Sequence, residues 1–84
     1  MTNPIQQRRE HRRAFLDALY THVDGSITEF VNAYEIGARL GIDETETRKI
    51  FEYLEEKGFV LVDDHRAGTL RMTAAGIDEV ESRS

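Results

Sequence analysis

Three glycines, Gly25, Gly41 and Gly58, each stand just behind a stretch whose apolar residues recur every three or four positions. Glycine adopts the left-handed backbone that ends a helix, so this punctuation cuts the first two-thirds of the chain into three separate helices. The first is expected from Asn3-Pro4, with Pro in the opening turn, to about Val23. Phe15, Leu16, Leu19, Tyr20 and Val23 form its apolar stripe. Residues 6–13 add almost nothing apolar, so that portion reads either as a solvated helical extension or as a frayed arm. Gly25 is its expected left-handed cap. Ile27, Phe30 and Val31 then suit a short strand. Asn32, with Glu35 three residues on, marks the start of a short helix over residues 33–40, with Ile36 and Leu40 facing inward. Asp43 and Glu46 repeat that spacing ahead of a helix over residues 44–57. Thr47, Ile50, Phe51 and Leu54 should face its core side, and Glu44, Thr45, Arg48, Lys49, Glu52, Glu55 and Glu56 its solvent side.

The pattern changes period behind Gly58. Phe59-Val60-Leu61-Val62 is the longest unbroken apolar run in the chain and reads as a strand. Asp63-Asp64-His65-Arg66-Ala67-Gly68 reads as a hairpin loop, and Thr69-Leu70-Arg71-Met72 alternates as a returning strand should. Thr73 caps a last short helix over residues 74–81, with Ile77 and Val80 inward. Ser82-Arg83-Ser84 is a tail. The division is a basic arm or helix extension over residues 1–13, one α+β domain over 14–81, and the tail 82–84.

A run of four apolar residues is far short of the ~20 that span a bilayer. The start of the chain lacks the apolar stretch of a secretory signal, which with the absence of Cys implies a cytoplasmic setting and excludes a disulfide framework. At 84 residues the chain builds one core, too small for a deep cleft around its scattered His residues. Without a thiol, a glycine-rich phosphate loop or a serine nucleophile motif, no enzymatic chemistry and no cofactor are expected. His11 and His22 lie roughly 16 Å apart along one helix and cannot share a metal. His65 beside Asp63 and Asp64 is a polar loop, not a ligand set.

Three stretches in this order carry a resemblance. Tyr34-Glu35-Ile36-Gly37-Ala38-Arg39-Leu40-Gly41-Ile42 looks like the first helix and turn of many bacterial winged-helix regulators. Leu54-Glu55-Glu56-Lys57-Gly58-Phe59-Val60 is similar to a stretch common in MarR-type and related families. Leu70-Arg71-Met72-Thr73-Ala74-Ala75-Gly76 resembles the second wing strand and the start of the helix behind it. The chain thus resembles the winged helix-turn-helix superfamily over residues 15–80. The resemblance implies a three-helix core, a β-hairpin wing and a short C-terminal helix.

It also implies a role: sequence-specific binding of double-stranded DNA and transcriptional regulation. Helix 44–57 would be the recognition helix, entering the major groove with Glu44, Thr45, Arg48 and Lys49. Arg48 suits a bidentate contact to guanine and Lys49 a phosphate. Asn32 would contact phosphate, and His65 and Arg66 on the wing over residues 63–68 would reach the backbone or minor groove. Arg8, Arg9, Arg12 and Arg13 would add nonspecific phosphate attraction.

The charge pattern departs from that family picture. Residues 1–13 carry +3, but residues 14–84 carry −8 and the whole chain −5. Helix 44–57 holds more acids than bases, and Asp63-Asp64 sit in the wing. Acidic side chains near phosphate oppose binding, so a second reading stands beside the first: a winged-helix module with an acidic surface that docks a protein partner and binds no DNA. A homodimer through the first and last helices is compatible with either.

Overall fold

A computed structural model describes residues 3–83; Met1, Thr2 and Ser84 lie outside the described residues. Asn3 takes extended backbone and its side chain accepts the Ile5 N–H at 2.8 Å, which starts helix α1 (Pro4–Val23). Residues 6–13 are therefore helical, an extension of α1 that is exposed except at half-buried His11 and Arg12. Phe15, Leu16, Leu19 and Val23 are buried, as their spacing predicts. The left-handed turn behind α1 begins one residue early: Asp24 already has φ 52°, and Gly25 follows at φ 75°.

Strand β1 is only Val31–Asn32. The strand expected from Ile27 does not form that far back, because β1 pairs over two residues only, Val31 with Leu70 and Asn32 with Thr69. Ile27 and Phe30 are left exposed. Helix α2 (Ala33–Arg39) starts on Asn32, whose carboxamide oxygen accepts the N–H groups of Tyr34 and Glu35. Leu40, expected inward, is exposed. The chain leaves the helix at Leu40, and the Ile42 N–H turns back to the Gly37 carbonyl at 2.8 Å. That reversal buries Ile42 instead.

Helix α3 (Glu44–Glu56) is capped by Asp43, whose carboxylate accepts the Glu46 N–H at 2.8 Å. Lys57 is its C-cap, so the helix stops one residue short of expectation. Thr47, Ile50, Phe51 and Leu54 are buried. Strand β2 (Val60–Asp64) runs two residues into the expected loop. The pairing shifts register between Val62 and Asp64, leaving Asp63 as the extra residue of a bulge. The hairpin turn is thereby reduced to residues 65–68. Strand β3 (Thr69–Met72) pairs antiparallel with both neighbours, giving the order β1-β3-β2. Leu70 and Met72 point into the core.

Helix α4 (Ala74–Glu81) begins on Thr73. The Thr73 hydroxyl donates to the Gly58 carbonyl (2.6 Å) and accepts the Gly76 N–H (3.1 Å), so one side chain joins the end of α3 to the start of α4. Ile77 and Val80 are half-buried against the core. Arg83, expected in a free tail, donates to the Asp17 carboxylate at 2.8 Å, and the Tyr20 hydroxyl donates to Glu81 at 2.7 Å. Together these pairs clamp α4 to α1. The described residues form a small α+β domain of four helices and a three-stranded antiparallel sheet. No described helix is long and apolar enough to cross a membrane.

Candidate nucleic-acid interface

The angle between α2 and α3 is set by a glycine. Gly37 faces Thr47, and a β-carbon at Gly37 would collide with the Thr47 side chain. The two helices therefore approach closely, with Thr47 fully buried between them. This fixes the exposed N-terminal turns of α3, including Glu44, Thr45 and Arg48, relative to the start of α2.

The hairpin turn is anchored to the same place. The Asp64 carboxylate accepts the N–H groups of Arg66 and Ala67, each at 3.0 Å, while its carbonyl accepts the Gly68 N–H at 2.8 Å. The Gly68 carbonyl then accepts the Ala33 N–H at 2.8 Å. Gly68 lies against the Tyr34 ring, where a β-carbon would come within 2.7 Å. Tyr34 in turn meets Phe51 edge-on, with ring centroids 5.9 Å apart. The turn, α2 and α3 thus form one rigid corner.

That corner holds an open cleft of about 470 Å³, lined by Tyr34, Glu44, Thr45, Arg48 and Arg66. Four of the residues predicted from sequence come together here, although Arg66 is distant from Arg48 in the chain. Tyr34, which forms part of the lining, was not among them. Its role depends on contacts with Gly68 and Phe51, and no local spacing signals those.

The other predicted residues lie elsewhere. Lys49 is on the opposite flank of α3, where Arg8 and Arg12 of α1 join it beside Tyr53. The Arg12 guanidinium stacks over the Tyr53 ring at 4.1 Å. His65 is outside the cleft, its Nε2 held 2.8 Å from a Glu55 carboxylate oxygen. Asn32 is exposed, but its oxygen is committed to capping α2. Arg9 and Arg13 line a separate cleft with Lys57.

Bases therefore flank the exposed side of α3, Arg48 and Arg66 beside Glu44 on one flank and Arg8, Arg12 and Lys49 beside Glu46 on the other. Exposed Glu52 and Glu56 lie on the same helix. Among the described residues, no three His, Asp or Glu side chains converge as a metal site would require. Away from this surface, the hydrogen bond to Glu81, followed by burial and the charges of Glu81 and Asp24, raises the Tyr20 phenol above its ordinary value. Comparison of the chain with protein-family models, curated proteins and solved structures gives no match.

Proposed function

We propose that this chain is a winged-helix domain of the MarR-like kind that binds double-stranded DNA and regulates transcription in the cytoplasm. The single observation that carries the reading is the convergence of Arg48 and Arg66 on one cleft between α3 and the hairpin turn. A recognition helix in the major groove needs a base-reading side chain near its start and a positive group on the wing beside it. Arg48 and Arg66 meet those two needs. Lys49, Arg8 and Arg12 on the far flank supply phosphate contacts on a chain whose net charge is −5. Glu44, at the edge of the cleft, suits acceptance of a hydrogen bond from cytosine N4.

The test is an amide chemical-shift titration of the labelled chain with a mixed-sequence duplex at low and then physiological salt. Salt-dependent shifts at residues 44–49 and 64–68 are the expected result. Arg48→Ala should cost about 1–3 kcal/mol at a preferred site and relax the preference there. Arg66→Ala should weaken all duplexes alike and lower the salt slope by about 1. Binding unchanged in both variants would overturn this assignment. An absence of shifts at either salt would favour the protein-docking module with its acidic surface.

A further inference from the structure

We infer that a second cleft, between α1, the end of α3 and α4, docks a segment of another protein in which acidic residues surround a large apolar side chain. The inference goes beyond the DNA reading and does not rest on it. The cleft has a volume of about 370 Å³ and is open to solvent. Arg9, Arg12 and Arg13 come from α1, Lys57 from the end of α3 and Arg83 from behind α4. Exposed Tyr53 and half-buried Phe59 contribute the apolar surface, over the buried side chains of Leu16 and Leu54, and Glu79 is the one acid among the described lining residues.

The decisive feature is charge without compensation. Arg83 is paired with Asp17. Among the described residues, Arg9, Arg12, Arg13 and Lys57 have no carboxylate oxygen within 4.0 Å. Yet the chain holds 16 acids against 11 bases. Four uncompensated bases gathered at one cleft of an acidic protein repel one another, and an acidic ligand relieves that repulsion. Arg12 is steered by Tyr53 and not by an acid, which holds a flat guanidinium on an aromatic ring at the edge of the cleft.

Composition of the lining selects the ligand. A small molecule needs an enclosed site that buries most of its surface, and this cleft is open. A duplex presents phosphates but no apolar group to cover Tyr53 and Phe59. A peptide carrying carboxylates on either side of a Leu or Phe satisfies both the rim and the floor.

The test uses the full chain, labelled with nitrogen-15, and an acetylated decapeptide alternating Glu and Leu with one central Phe. A control peptide replaces each Glu with Lys, and a mixed-sequence duplex at physiological salt is the third arm. Saturable shifts at the amides of residues 13, 57, 59 and 83, which lie outside the surface assigned to DNA, are expected with the Glu peptide and not with the Lys peptide. The double variant Arg13→Glu/Lys57→Glu, its fold checked by unchanged amide positions away from the cleft, should lose about tenfold or more in affinity. Three results would each overturn the inference: no saturable shift with the Glu peptide, equal affinity in the variant, or stronger shifts of the same amides by the duplex. Failure of the DNA reading would instead remove the duplex shifts at residues 44–49 and 64–68 and leave the peptide response intact.

Discussion

Gly68 meets two constraints at once. Its φ of 75° lies in the left-handed region, and the Tyr34 ring occupies the space a β-carbon would need. Gly58 meets only the first, with φ 80° and nothing within 4 Å of the added atom. The pair separates backbone strain from steric conflict. Gly58→Ala should cost about 1 kcal/mol. Gly68→Ala should cost about 2–4 kcal/mol, because overpacking adds to the same backbone term. Urea denaturation of the two variants checks the ordering, and equal losses would remove the Tyr34 contact from the account. The same residue shapes the cleft, since Gly68 holds the turn that carries Arg66.

At the scale of elements, the helices are fixed by caps and by a few side-chain ties between them. Asp43 satisfies an amide at the start of α3, and Glu44 and Glu46 lie in its first turn, where the helix dipole favours acids. Asp43→Ala should destabilise the fold by about 1 kcal/mol, read from the urea midpoint at unchanged slope. The clamp between α1 and α4 is pH-dependent through Tyr20. Its phenol is raised in the folded state, so the neutral form is the one the fold favours. The stability this contributes is present below the ordinary tyrosine value near 10 and is lost as pH rises through the higher folded value. Tyr20→Phe should therefore melt below the parent at neutral pH, with the gap closing above about pH 10. A gap that stays constant across that range would mean that the Glu81 bond contributes nothing.

The whole molecule rests on one small core. Phe15, Leu19, Phe51, Leu70 and Met72 are fully or almost fully buried, and they come from α1, α3 and β3. A chain of 84 residues has a total stability of about 4–13 kcal/mol. Phe51→Ala should remove about 3–5 kcal/mol, enough to populate the unfolded state heavily at 37 °C. Loss of amide dispersion across all four helices together would be the expected signature. Loss confined to α2 and α3 would show instead that the core is divided.

Much of this architecture was legible from local chemistry. The periodicity of Thr47, Ile50, Phe51 and Leu54 gave α3 its inner face, because burial of a helix stripe depends on spacing alone. Capping residues marked helix starts, since Asn32, Asp43 and Thr73 act on amides two or three residues away. Leu40 and Ile27 depart from expectation for a shared reason: their position depends on where a helix or strand loses its partner, which is not a local property. The α+β class and the exposure of Arg48 and Arg66 follow from the sequence by itself. Only the tertiary structure decided that these two arginines share a cleft floored by Tyr34 and that His65 is held by Glu55. It also decided that Lys49 belongs with Arg8 and Arg12 on the other flank. Each of those outcomes is a contact between elements that no periodicity records, and the first is fixed by the close approaches at Gly37 and Gly68.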